Sequence, residues 1–172
     1  MAGRSVTVRV PASSANLGPG FDTLGLALGL YDELKVTATH DAQTNTDSSL
    51  TFDFEGVGAD DVPRDASNLV VRAIARTFVH AGQPFPGLHL VARNVIPHGS
   101  GLGSSAAAIV SGIMAARGLL DGIAQIDSQG VLGLATELEG HPDNVAPALF
   151  GGLTIAWTTA EGPRAKKLFV HR

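Results

Sequence analysis

The segment Pro97–Ala108, PHGSGLGSSAAA, decides how the rest of the chain is interpreted. Glycines at 99, 101 and 103 alternate with other residues, and two serines then lead into a run of alanines. Glycine lets successive backbone N–H groups turn toward one point, whereas alanine is the best helix former. A glycine loop directly before a helix N-terminus predicts an anion site, because unpaired N–H groups and the positive end of the helix dipole coincide there. Taken alone, such a segment could also be a tight strand-to-helix turn.

The composition predicts a cytoplasmic protein with one core. The chain has 172 residues, of which 44% are hydrophobic and 16% charged, and its formal net charge is −4. This weakly acidic balance argues against nucleic-acid binding through bulk electrostatics. The sequence contains no cysteine, which excludes disulfides and thiol nucleophiles. The N-terminus has no signal-peptide core, and proline, glycine and serine interrupt the uncharged window 96–116, so we expect no membrane span.

Hydrophobic periodicity predicts an α+β chain without a linker that would divide it. The first strand is expected to end at Pro11, and the polar stretch His40–Ser49 is expected to be a loop. Asp65 or Ser67 is the expected cap of the first helix. The predicted strands lie at about 6–10, 26–30, 34–39, 50–54, 87–94 and 153–159, and the predicted helices at about 68–81, 104–119 and 128–139, with a short one within 141–152.

The glycine loop differs from two better-known phosphate loops. A Walker loop requires Lys followed by Ser or Thr after its last glycine, and a dinucleotide fingerprint requires glycine where Ser104 stands. Backbone dipoles and a metal ion would therefore have to neutralise most of the phosphate charge. The hydroxyls of Ser104 and Ser105 could cap the helix or bind magnesium.

The same segment resembles the phosphate-binding motif of the GHMP kinases, which reads approximately P-x-x-x-G-L-G-S-S-A-A. The resemblance implies that this loop binds ATP, and Asn68 in SNLVVRA resembles a position near the adenine. The ATP-binding residues that it implies in the loop are Pro97, Gly99, Ser100, Gly101, Leu102, Gly103, Ser104, Ser105 and Ala106.

Two further segments extend the resemblance from residue 6 to about 157. PASSANLGPGFD at 11–22 and EGHPDNVAPALFGG at 139–152 are similar to the GHMP kinases that phosphorylate homoserine. This implies transfer of the γ-phosphoryl group of ATP to the side-chain hydroxyl of L-homoserine, a step toward threonine. Another GHMP kinase with a different alcohol substrate is the alternative. The implied substrate-binding residues are Asn16, Asp22, His141 and Asn144.

The resemblance also implies a magnesium site on Ser105 and a glutamate. Glu137 and Glu139 compete for this role and, two residues apart on a helix, would point in different directions. The continuous motif EGHPDN favours Glu139. Several relatives have an aspartate base at the position of Asn144, and an amide cannot take a proton. The implied catalytic set is therefore Ser105, Glu139 and Asn144, acting by positioning and electrostatics.

For the fold, the resemblance implies an N-terminal α+β domain with a left-handed βαβ crossover, an exception to the usual hand. We expect this domain to cover 1–159, with 160–172 as a truncated connection toward a C-terminal α+β domain that the sequence lacks. Two interpretations stay open, the catalytic N-terminal half of a kinase or a nucleotide-binding fragment without activity. The resemblance further implies ATP and homoserine as partners, with a homodimer as a further expectation.

Overall fold

The computed structural model describes residues 1–40 and 49–169, which form a mixed sheet covered by helices. Most of the predicted loop His40–Ser49 and the last three residues of the predicted connection therefore lie outside the described residues. The elements in chain order are β1 Ser5–Leu17, β2 Gly20–His40, β3 Leu50–Gly56, α1 Leu69–His80, β4 Gly87–Asn94, α2 Ser104–Leu119, α3 Ser128–Glu139, α4 Val145–Phe150, β5 Leu153–Thr159 and β6 Gly162–Leu168.

Strand β2 organises the sheet. It pairs antiparallel with β1 on one edge, and on its other edge with β4 through residues 33–40 and with β5 through residues 24–26. The prediction of two separate strands in this region and of a strand end at Pro11 was wrong. Pro11 pairs with Tyr31 inside β1, next to a register shift. An edge strand tolerates proline because one side of its backbone needs no ladder partner.

The β3–α1–β4 unit supplies the crossover of the fold. β3 and β4 are parallel neighbours, with Leu50 opposite Leu88 and Phe54 opposite Ala92. Parallel neighbours need a long connection between them, and helix α1 provides it. The left hand of this crossover stays a prediction from the family resemblance.

Helix α1 begins at a different cap from the two that were predicted. The Asn68 side chain caps it, because its Oδ1 accepts a hydrogen bond from the Val70 N–H at 2.9 Å. Asp65 instead accepts hydrogen bonds from the backbone N–H and hydroxyl of Ser67, at 2.8 and 2.5 Å, within the preceding turn. These bonds lower the pKa of the Asp65 carboxyl.

Helix α2 lies in the centre of the core. Most of its small and β-branched side chains are buried, and it packs against α1, α3 and β1. Because burial fixes the axis of α2, it also fixes where the glycine loop meets the helix N-terminus. The largest side chains that are fully buried include Phe78, Ile74, Leu88, Leu90, Ile109, Ile113, Leu119 and Leu132.

The sheet continues beyond residue 159. β6 pairs antiparallel with β5, whereas the sequence analysis assigned this region to a connection only. Its charged residues Arg164, Lys166 and Lys167 suit an edge strand, where charge discourages further pairing. The boundary between domain and connection stays a prediction. None of the helices among residues 1–40 and 49–169 is long and apolar enough to cross a membrane.

Candidate active site

The glycine loop joins β4 to α2 and is open at its centre. Gly99, Gly101 and Gly103 have φ angles of 67°, 75° and 67°, in the left-handed region that disfavours other residues. No atom outside the immediate chain lies within 4 Å of where a Cβ of Gly99 or Gly101 would be. The Ser100 hydroxyl donates to the Pro97 carbonyl at 2.8 Å, so it stabilises the loop itself.

The N-terminus of α2 faces this open loop without a side-chain cap. Gly103 is the N-cap residue and has no side chain to accept the first N–H groups of the helix. Such groups are satisfied by water or by a ligand, and they favour an anion. The loop and helix therefore have the arrangement that the sequence predicts for a phosphate site.

Two hydrogen-bonded contacts hold the ends of the loop. On the β4 side, Asp32 Oδ1 accepts the backbone N–H groups of Val95 and Ile96 at 2.6 and 2.9 Å. On the α2 side, the Ser13 N–H donates to the Leu102 carbonyl at 3.0 Å. The loop is thus fixed at both ends by the long β1–β2 hairpin.

A cavity of about 380 Å³ lies beside the loop and is lined by Asn68, Asn94, His98 and Ser105 among others. Asn68 is only 1% exposed, and besides capping α1 its Nδ2 donates to the Pro63 carbonyl at 2.8 Å. Both the oxygen and the nitrogen of the Asn68 amide are therefore used in hydrogen bonds within the protein. Its place near an adenine stays a prediction.

Ser105 and Glu139 are brought together by α2 and α3. The Ser105 hydroxyl donates to Glu139 Oε1 at 2.6 Å, and both residues lie at the end of their helix that faces the loop. Oxygen ligands are what Mg²⁺ prefers, and it commonly takes only one or two from the protein and the rest from phosphates and water. In the described part of the chain, no group of three or more His, Asp or Glu side chains is arranged so that it could hold a metal ion by itself. The pair thus fits a cation shared with phosphate oxygens.

Glu137 lies on a different side of α3 and binds Arg76 of α1. Its two carboxylate oxygens accept hydrogen bonds from the guanidinium at 2.9 and 3.0 Å. This contact lowers the pKa of the Glu137 carboxyl and raises that of Arg76. Of the two glutamates, the structure therefore brings Glu139 to Ser105 and leaves Glu137 with Arg76.

The HPDN segment before α4 contains three polar side chains, of which Asn144 lies beside the loop. Asn144 Oδ1 accepts a hydrogen bond from the Ser13 hydroxyl at 3.0 Å, immediately next to Gly103. Asp143 is 1% exposed, and its Oδ1 contacts His141 Nδ1 at 2.5 Å and accepts the Asn144 N–H at 2.9 Å. The buried carboxylate therefore orients the exposed His141 ring and the start of Asn144 together.

The turn between β1 and β2 joins Asn16 to Asp22. Both have positive φ angles, 58° and 54°, and Asn16 Oδ1 accepts the Asp22 N–H at 2.9 Å. Non-glycine residues in this region are strained, and strain of this kind concentrates at functional sites. Gly25 allows the hairpin to pack directly against the HPDN segment, since a Cβ at this position would lie only 2.1 Å from the Asp143 carbonyl oxygen.

Sequence reasoning missed three residues that hold the site. Ser13 and Asp143 lie inside the quoted motifs, but only their contacts distinguish them from the neighbouring Ser14 and Pro142. Asp32 offered no signal except its place after an aromatic residue in a strand.

Comparison with known proteins supports the resemblance. A family model described as the GHMP kinases N terminal domain matches residues 68–152. Homoserine kinases from Leifsonia xyli subsp. xyli and Clavibacter michiganensis subsp. michiganensis are 65% and 68% identical to 100% and 99% of this chain. Homoserine kinase from Cytophaga hutchinsonii has a solved structure that matches 95% of this chain with a TM-score of 0.74 and 32% identity. The chain covers 51%, 52% and 51% of these three proteins, about half their length.

Proposed function

We propose that this chain, which belongs to the GHMP kinases and carries their N-terminal domain, is the ATP-binding half of a phosphotransferase that acts on L-homoserine. The reaction would move the γ-phosphoryl group of ATP to the side-chain hydroxyl, giving O-phospho-L-homoserine for threonine biosynthesis. The observation that carries the proposal is the uncapped α2 N-terminus above three glycines with positive φ, beside the Ser105–Glu139 pair.

The loop and helix would bind the phosphates of ATP. Backbone N–H groups of the Gly99–Gly103 loop and the first turn of α2 would donate to the phosphate oxygens without needing a lysine. The cavity next to the loop would accept the adenine and ribose. Fixing the loop at Asp32 and Ser13 means that these donors are already oriented before ATP arrives.

Ser105 and Glu139 would hold Mg²⁺. When bound, the ion would neutralise charge on the phosphate oxygens, which is a main requirement of phosphoryl transfer. Glu139 also accepts the hydrogen bond of the Ser105 hydroxyl and so keeps that hydroxyl directed toward the last turn of α3.

The acceptor, L-homoserine, would be bound by Asn16, Asp22, His141 and Asn144. Asp22 would pair with the ammonium group of homoserine, and Asn144 would align its hydroxyl for in-line attack on the γ-phosphorus. Asn144 cannot act as a base, so catalysis would depend on alignment and charge stabilisation. We further propose a cytoplasmic enzyme that forms a homodimer, with ATP and homoserine as its ligands.

Nucleotide titration combined with a coupled ADP assay tests this function. ATP should bind only weakly without Mg²⁺, and ADP release should depend on L-homoserine but not on mevalonate or galactose. Binding without turnover would support the alternative, a nucleotide-binding domain that is inactive by itself. Absence of nucleotide binding with Mg²⁺ would refute both.

A further inference from the structure

Ser13 lies where three parts of the site meet. It is completely buried, its hydroxyl donates to Asn144 Oδ1 at 3.0 Å, and its backbone N–H donates to the Leu102 carbonyl at 3.0 Å. The space above Gly103 is filled by the same hydroxyl, since a Cβ at Gly103 would lie 2.1 Å from Ser13 Oγ. One residue of β1 thus contacts both the glycine loop and the segment that contributes Asn144.

The hydrogen bond from Ser13 decides which end of the Asn144 amide faces the site. A hydroxyl that donates to Oδ1 fixes the amide so that Oδ1 points to β1 and Nδ2 points away from it. In the part of the chain that the structure describes, Nδ2 has no hydrogen-bond partner of its own. Asn144 therefore presents two N–H donors, and its acceptor oxygen is already used.

We infer that Ser13 is a positioning residue that makes Asn144 a hydrogen-bond donor toward an oxygen of the reacting groups. The inference rests on the proposed function, because the ligand oxygen would be that of the acceptor hydroxyl or of the γ-phosphoryl group. An N–H donor can accept neither a proton nor a hydrogen bond from the acceptor hydroxyl. It can hold an oxygen lone pair and stabilise charge that develops on phosphate oxygens.

Ser13 also links the position of the Asn144 N–H donors to that of the glycine loop. Movement of Leu102 or Gly103 would move Ser13, and with it the Asn144 amide. The distance between the phosphate site and the acceptor site is therefore set by one buried side chain rather than by two independent loops. In-line transfer depends on that distance, because reacting atoms must be aligned at close range.

Spectra of the isotope-labelled chain test the inference without requiring turnover. The two side-chain N–H signals of Asn144 are assigned by their loss in Asn144→Ala. Ser13→Ala should shift and broaden both signals in the free protein, because the flipped amide becomes about fivefold more populated when the hydrogen bond is lost. Ser13→Thr, which keeps the hydroxyl, should retain the wild-type pattern. Thr77→Val removes another completely buried hydroxyl, far along α1, and should leave the Asn144 signals unchanged.

The same samples separate this inference from the proposed function. With Mg²⁺, a non-hydrolysable ATP analogue and L-homoserine, the wild-type Asn144 signals should shift, and Ser13→Ala should reduce that shift. Where turnover is measured, Ser13→Ala should lower kcat about tenfold with little change in the KM for ATP, and should cost nothing further in Asn144→Ala. Unchanged Asn144 signals in free Ser13→Ala, or equal changes in Thr77→Val, would overturn the inference. If the wild-type Asn144 signals do not shift with all three ligands present, the proposed function is refuted instead. The spectra of the free proteins still show whether Ser13 holds the Asn144 amide.

Discussion

Ser105 and Glu139 are 34 residues apart in the sequence, yet the serine hydroxyl lies 2.6 Å from the glutamate carboxylate. The contact joins the first turn of α2 to the last turn of α3, and both helices are held in the core by buried apolar side chains. A pair of oxygen atoms is therefore fixed beside the glycine loop by the packing of the whole domain. Glu139, which the EGHPDN motif favours, thus lies against Ser105, whereas Glu137 binds Arg76.

We predict that Glu139→Gln and Glu137→Gln have different effects. Glu139→Gln removes the charge beside Ser105 and should weaken Mg²⁺-dependent ATP binding at least about tenfold, because an amide is a poor Mg²⁺ ligand. Glu137→Gln should leave binding unchanged and lower the free energy of unfolding by less than about 1 kcal/mol, since its pair with Arg76 is 54% and 35% exposed. Calorimetric titration with and without Mg²⁺ measures the first effect. The assignment fails if Glu137→Gln alone abolishes the metal dependence.

The Arg76–Glu137 pair also predicts a dependence of stability on pH. The guanidinium lowers the pKa of Glu137 in the folded protein below its ordinary value of 4.5. The contribution of this ion pair to the free energy of unfolding is therefore fully present above pH 4.5, and it is lost as the pH falls through the lower pKa of Glu137 in the folded protein. Urea unfolding of wild type and Glu137→Gln should differ at pH 7 and converge in acid. Curves that diverge as the pH falls would contradict this sign.

Alanine substitutions in the glycine loop should be unequal although the three glycines share a backbone conformation. Gly101→Ala, with open space around it, should cost only the left-handed penalty of about 1–2 kcal/mol. Gly103→Ala adds a collision with Ser13 and should cost about 1–3 kcal/mol more in the free energy of unfolding. Denaturant melts of both variants provide the comparison, with Gly101→Ala as the matched control. Equal losses would mean that Ser13 does not fill the space above Gly103.

Most elements could be predicted because their ends carry local signals. Asp127 caps α3 and Gly140 ends it in a left-handed conformation, so its predicted bounds agree with the structure. The β1–β2 hairpin was missed because proline and glycine normally indicate loops, and only cross-strand pairing shows that Pro11 continues the strand. β6 was missed because its lysines and arginine contain no alternating apolar pattern.

The site was predicted as motifs but not as contacts. The glycine loop is local in the sequence, so its conformation and the following helix could be inferred from residue types alone. The contacts of Ser13 with Asn144 and of Asp32 with Val95 span 131 and 63 residues, and only tertiary packing creates them. These distant residues hold the motifs in place, which no short pattern encodes.

Asn16→Gly, in the strained turn, should affect substrate binding much more than stability. Asn16→Gly relieves the positive φ but removes the amide that accepts the Asp22 N–H, so the free energy of unfolding should change by no more than about 1 kcal/mol. Homoserine affinity should nevertheless be lost in any form of the protein that binds it. Thermal unfolding and ligand titration read the two effects. Gly18→Ala, at another positive φ in the same turn, tests whether any change in the turn has this effect. Wild-type homoserine affinity in Asn16→Gly would remove Asn16 from the substrate site.

Asn144→Asp tests whether this position can serve as a base. Aspartate keeps an acceptor for the Ser13 hydroxyl but has no N–H to offer a ligand oxygen. We expect homoserine-dependent turnover to fall about tenfold or more, in line with the loss of a donor from the reacting groups. Steady-state rates of the wild type and the variant decide the point. A large gain in rate would show that the reaction lacks a base and not a donor.

The shared strand β2 has a consequence for how this chain unfolds. The half of the sheet with β3 and β4 and the half with β5 and β6 both take their central hydrogen bonds from it, through residues 33–40 and 24–26. Neither half can separate without breaking its own ladder to the strand that both halves share. Amide protons on both sides should therefore exchange with deuterated solvent through the same global opening, so that the protein behaves as one cooperative unit.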